Sequence, residues 1–202
     1  MVALLCNIMV VSGSVYVFYQ NDFLRIRKIL PLVLLSVPFA YFGGSLKINQ
    51  SIFFIILGLT LFIAAILMLI KKKDKTVKFP PYINGIIGGG IGFLSGLVGI
   101  GGGIFLSPLL YLSRWNIPKV IAATTASFIL VNSVAGLIGQ VHTNGFSVDF
   151  QVVVLLLITV LIGGQIGSRL TASWINPQIV RRITAFLILF VSLRILWKVF
   201  LN

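Results

Sequence analysis

Four glycines fall within the five positions Gly99-Ile100-Gly101-Gly102-Gly103. In a helix each would cost about 1 kcal/mol relative to alanine, and each leaves the backbone free to turn. The run predicts a broken helix. A helix resuming after Gly103 would aim its free N–H groups and the positive end of its dipole at the break, an arrangement that favours an anion. Pro108, five residues beyond Gly103, is expected to start a new, short helical turn after the break. Downstream, Thr124, Thr125, Ser127, Asn132, Ser133 and Gln140 interrupt an otherwise apolar run. Taken with Gly99, Gly101, Gly102 and Gly103, the residues Thr124, Thr125, Asn132 and Ser133 are the expected lining of an anion path. Asn7, Ser12 and Gln165 have weaker claims. The chemistry predicted is binding by neutral donors.

Other chemistries lack their groups. A dinucleotide fingerprint through Gly99 and Gly101 would need glycine at position 104, which is Ile104. The acids are Asp22, Asp74 and Asp149, with no glutamate, and all three lie at segment ends or in loops. A proton relay of buried carboxylates therefore has no members. His142 is the one histidine and Cys6 the one cysteine, so neither a metal cluster nor an internal disulfide is expected. Cys6 reads as a buried, inert thiol. No Ser/His/Asp set and no phosphate-binding lysine motif is present, so an enzyme is not expected and no cofactor is implied.

The elements that position these residues follow from composition. Of 202 residues, 58% are hydrophobic and only 9% charged, and the mean hydropathy is +1.11. Soluble proteins carry about 25% charged residues. A net charge of +13 would otherwise point to nucleic acid, but the basic residues sit mostly between long apolar runs. A soluble enzyme, a disordered chain and a nucleic-acid-binding domain are excluded. Spans of roughly 20 apolar residues occur at Val2–Tyr19, Ile29–Leu46, Ile52–Ile70, Tyr82–Leu112, Val120–Val141, Val148–Leu170 and Ile179–Phe200. The second contains Pro31 and Pro38 and is expected to kink. The fourth is too long for one span and holds ten of the chain's twenty glycines between Gly85 and Gly103. Gly88, Gly92 and Gly96 recur every four residues and predict a smooth face for close helix packing.

Charge gives the topology. If all seven runs cross, one side collects ten basic residues and the other six. If Tyr82–Leu112 enters and returns on the same side, the split becomes thirteen to three, as the positive-inside rule prefers. The lysine run Lys71–Lys78 is then cytoplasmic and a contact for anionic lipid. The expected fold is all-α and polytopic, with about six spanning helices plus one broken, re-entrant glycine-rich helix pair. A shift of 123 or 124 residues aligns Gly13 with Gly136, Phe23 with Phe146, Gly43 with Gly167, Leu46 with Leu170 and Thr60 with Thr184. That pattern predicts inverted repeats within a single transmembrane domain, 1–202: a first repeat over 1–70, a basic loop over 71–81 and a second repeat over 82–202.

The order Gly96-Leu97-Val98-Gly99-Ile100-Gly101-Gly102-Gly103, Pro108-Leu109-Leu110, Pro118 and Ala122-Ala123-Thr124-Thr125 resembles the sulfite exporter TauE/SafE family. The resemblance covers essentially the whole chain. It implies a multi-pass transporter of the bacterial plasma membrane, moving sulfite, sulfonates or other small sulfur-containing or organic anions. It also implies roles for the glycine run, for Pro108 and for Thr125, which matches the family's threonine or serine after the alanine. Family members resemble two repeats, each opened by a glycine-rich helix. Here only the second has one, so roughly 40 residues of the first repeat are expected to be absent, on the logic of paired repeats. The expected partners are the lipid bilayer and a small anionic substrate, with no nucleic acid. The further partners expected are a second copy of the chain, as a homo-oligomer, or the missing N-terminal segment. The alternative expectation is a truncated, non-transporting remnant or an accessory membrane subunit.

Overall fold

The computed structural model describes residues 1–47, 49–69, 80–113, 115–145, 150–173 and 177–200. Every regular element among them is helical: α1 (Val2–Gln20), α2 (Ile26–Ser45), α3 (Gln50–Leu69), α4 (Pro81–Val98), α5 (Gly103–Leu112), α6 (Pro118–Asn144), α7 (Phe150–Ser173) and α8 (Pro177–Phe200). Each apolar run of the sequence becomes a helix, and the long fourth run becomes two. Among the described residues, Val2–Gln20, Ile26–Ser45, Ser51–Leu69 and Lys119–Thr143 are long and apolar enough to cross a membrane. Large apolar side chains such as Phe39, Ile86, Phe186 and Trp197 lie exposed on the outside of the helices, as lipid-facing residues do in a polytopic protein. The Lys71–Lys78 run lies outside the described residues.

Prolines and glycines set the ends. Pro81 and Pro118 open α4 and α6, where a missing N–H has no intrahelical partner to lose. Pro31 and Pro38 lie inside α2, which runs through both. Pro108 is the sixth residue of α5 and not its start; the new helix begins at Gly103, directly after the last residue with a left-handed backbone, Gly102.

The chain forms two compact units. One comprises Met1–Leu46 and Lys73–Ile162; the other comprises Lys47–Lys72 and Gly163–Asn202. In the second, α3 packs on α8, with Gly58 against Leu196. In the first, α2 is the central strut, packed on both α4 and α6. Gly88, Gly92 and Gly96 of α4 meet the backbone carbonyls of Leu32, Ser36 and Ala40 in turn, so α2 and α4 run in the same direction. A Cβ at Gly92 would come within 2.5 Å of the Ser36 oxygen, and the other two leave still less room. This is the smooth packing face expected from their spacing. Gly44 meets the backbone of Gly136, and Gly139 that of Tyr41, so α6 seats on α2 in the same way.

At one end of this unit, the Lys28 ammonium lies 5.7 Å from the Trp115 ring and the Lys119 ammonium 5.0 Å from Phe23. At the other end, the Tyr41 hydroxyl pairs with His142 Nδ1 at 2.6 Å and the Thr143 hydroxyl donates to the Ser45 carbonyl. The helix α5 runs back along α6: Gly103 meets Ile129 and Thr125, while Leu106 and Leu110 join Leu32, Ile121 and Phe128 in a buried apolar cluster. Together α4 and α5 form a hairpin whose outer ends lie at the Trp115 end of the unit.

Candidate functional site

The turn of the hairpin is made of glycines because its backbone demands them. Gly99, Gly101 and Gly102 have φ of +75°, +79° and +75°, a region that side chains with a Cβ disfavour. Space excludes side chains as well. A Cβ on Gly101 would lie 2.8 Å from Ser133 Oγ, 2.8 Å from Ile129 Cγ2 and 3.0 Å from Asn7 Nδ2. One on Gly102 would meet Ser95 Cβ at 3.1 Å, and one on Gly99 would meet Gln140 Nε2 at 3.4 Å. Polar side chains from three helices therefore converge on the bare backbone of the turn. From α1, Asn7 donates to the Ile100 carbonyl at 3.0 Å. From α6, Gln140 Nε2 faces the Gly96 carbonyl at 3.5 Å.

The turn lies inside the bundle. It contacts α6 between Thr125 and Gln140, well short of that helix's ends at Pro118 and Asn144. Gly101, Gly102 and Gly103 are all buried. The first turn of α5 opens on this interior, and no side chain caps it at Gly102. By helix geometry the amides of Gly103 and Ile104 have no acceptor within their own helix.

Five buried side-chain atoms have no hydrogen-bond partner among the described residues: Ser95 Oγ, Thr125 Oγ1, Asn132 Oδ1, Ser133 Oγ and Gln140 Oε1. Buried polar atoms are ordinarily paired, and a cluster of exceptions calls for a cause. A Cβ added at the turn would meet four of these five residues, Ser133 through its unpaired Oγ and Ser95, Thr125 and Gln140 through Cβ, Cγ2 and Nε2. Asn132, fully buried, lies about two helical turns along α6 from Thr125. Two other hydroxyls of α6 are satisfied locally. Thr124 donates to the Val120 carbonyl at 2.8 Å and Ser127 to Ala123 at 2.9 Å.

Of the residues read from the sequence, Gly99, Gly101, Gly102, Gly103, Thr125 and Ser133 come together, with Asn132 beside them. Thr124 does not join them; it faces its own backbone. Pro108 stands more than a turn down α5, buried, where its ring leaves the Ile104 carbonyl without its helical donor. Ser12 is exposed and bonds the Ile8 carbonyl of its own helix. The side chain of Gln165 lies outside the described residues. Ser95, the only hydroxyl between Asn84 and Ser107, and Asn7 also reach the turn. Among the described residues no cluster of three or more His, Cys, Asp or Glu could hold a metal.

Comparison with known proteins places this arrangement in a family. The chain is 32% identical over 202 residues to a probable membrane transporter protein of Sinorhizobium fredii, the match covering 96% of this chain and 81% of that protein. It is 27% identical over 199 residues to a probable membrane transporter protein of Methanocaldococcus jannaschii, covering 85% of this chain and 72% of the other. No solved structure matches. The profile of the sulfite exporter TauE/SafE family matches residues 1–195, and the chain is therefore a member of that family of membrane transporter proteins.

Proposed function

We propose that the chain is a secondary carrier of small anions, sulfite, sulfonates or related organic anions among them, in a bacterial plasma membrane, and that it is not an enzyme. The observation that carries this reading is the meeting of the α5 N-terminus with an unpaired buried hydroxyl at the glycine turn. The hydroxyl of Ser133, whose Oγ faces Gly101, and the opening amides of α5 can donate to an oxyanion. No acidic residue occurs in α1, α2, α4, α5 or α6 to repel one. Irregular backbone at membrane depth is tolerated where it is buried in protein or lines a cavity, and substrate sites of secondary transporters use such broken helices.

Mechanism follows from the same parts. The half-helix and the Ser133 hydroxyl hold the anion while the two ends of the bundle open in turn. Without a carboxylate relay, the anion moves down its electrochemical gradient or carries its own proton. The basic loops around Arg25 and Lys119 then face the cytoplasm, and the α4–α5 hairpin enters and leaves on that side. Reconstitution of the purified chain into proteoliposomes tests the function directly. Protein-dependent flux of at least one anion from a panel of sulfite, sulfonates and short carboxylates is expected. That flux should vanish in Gly101→Leu, whose side chain would displace Ser133 and Asn7, with membrane insertion intact. Equal flux in wild type and variant refutes the role of the turn.

A further inference from the structure

The end of the bundle at Lys28 and Trp115 presents positive charge directly beside an apolar face. We propose that an anionic phospholipid, of the phosphatidylglycerol kind, docks on the outward face of α2. Its phosphate sits at Arg27 and Lys28, and an acyl chain runs along Leu30 and Leu34.

The charge at this end is dense and unpaired. Arg25, Arg27 and Lys28 lie within four positions where α2 begins, and Lys119 is the second residue of α6. All four are exposed. None pairs with an acid among the described residues, Asp22 of the α1–α2 loop included. Neither α2 nor α6 has an acid in its first turn, so the positive ends of their dipoles add to the field. Two contacts hold the basic segments side by side. The Lys28 ammonium lies over Trp115, whose ring packs against the buried cluster of Leu106, Leu110 and Ile121. The Lys119 ammonium lies over Phe23. These contacts cross between the α1–α2 and α5–α6 loops. Because aromatic rings carry no net charge, both ammonium charges remain to be neutralised.

The adjoining surface suits an acyl chain. Arg27, Leu30 and Leu34 follow the three-and-four-residue spacing of one helical face, opposite Ile29, Leu32 and Ser36, which are buried. Leu30 is 51% and Leu34 62% exposed. At 1.5 Å per residue, Leu34 stands about 10 Å along the helix from Arg27. Trp115, and exposed Tyr82 where α4 begins beside α2, are residue types favoured at the membrane–water boundary. An anionic headgroup joined to an acyl chain matches this order of cation and apolar stripe. A soluble anion would leave the stripe unused, and a choline headgroup would set a second cation beside Arg27 and Lys28.

The test measures saturation binding of radiolabelled dioleoylphosphatidylglycerol to the full chain, stripped of lipid in an uncharged detergent. Unlabelled dioleoylphosphatidylcholine and glycerol 3-phosphate are the competitors. Phosphatidylglycerol should bind about tenfold or more tightly than phosphatidylcholine, and Arg27→Gln and Lys28→Gln should each weaken it about fivefold, the usual weight of one basic group near anionic lipid. Arg27→Lys, which keeps the charge, should stay within about twofold of wild type. So should Lys47→Gln, which removes one exposed cation just beyond the other end of α2. Thermal unfolding in detergent checks that each variant is folded. Equal affinity for the two lipids overturns the proposal. Unchanged binding in both Arg27→Gln and Lys28→Gln overturns the placement, and an equal loss in Lys47→Gln reduces it to net charge alone. Competition by glycerol 3-phosphate at concentrations matching the lipid's assigns the cations to a soluble anion and overturns the lipid.

Discussion

Thr124 and Thr125 carry the same side chain one position apart, yet roughly 100° around a helix gives them different work. The Thr124 hydroxyl closes on the Val120 carbonyl, whereas Thr125 Oγ1 is buried without a partner and its methyl lies against Gly103. Replacing Thr125 by Val should therefore lower the apparent affinity for the transported anion by about tenfold, on the order expected for a lost hydrogen bond in a buried site. The same change at Thr124 should leave affinity within about twofold, because its hydroxyl serves only its own helix. Concentration-dependent uptake by proteoliposomes distinguishes the two. If both substitutions weaken uptake alike, the distinction between the two hydroxyls is wrongly drawn.

At the scale of the element, the glycines of α4 divide by what lies opposite each one. Gly96 presses on the Ala40 carbonyl, while a Cβ on Gly90 would meet nothing within 4 Å. Gly96→Ala should force α2 and α4 apart and destabilise the bundle by about 1–3 kcal/mol, the usual range for overpacking. Gly90→Ala should stabilise by up to about 1 kcal/mol, through helix propensity alone. Thermal unfolding in detergent gives both signs, and a stability loss at Gly90 would contradict this account of the face. The spacing of Gly88, Gly92 and Gly96 made the packing face legible in the sequence. The identity of the helix it meets was not, since nothing local to α4 names α2 as its partner. Likewise the break at Gly99–Gly103 was evident from glycine content, whereas the direction in which α5 departs depends on the apolar cluster of Leu106, Leu110, Ile121 and Phe128.

At the scale of the whole molecule, the hairpin of α4 and α5 predicts which loops share a side of the membrane. Arg25 and Ile117 belong to the end where Lys28 meets Trp115, and His142 to the opposite end; all three are exposed. In a Cys6→Ala background, single cysteines at these positions should react unequally with a membrane-impermeant thiol reagent in intact cells. Labelling is expected at position 142 alone. Opposite behaviour of positions 25 and 117 would mean that the glycine segment crosses the membrane. The sequence by itself determined the membrane class, the helices, the break and the family, because apolar run length, glycine clustering and a linear motif are local properties. Which polar residues act together was decided only by tertiary structure. Ser95 and Asn7 reach the turn from helices far from α6 along the chain, and Thr124 leaves it by a rotation along its own helix. Whether a buried hydroxyl is open or already bonded depends on the carbonyl that folding brings to it, and that is a property of the packed bundle.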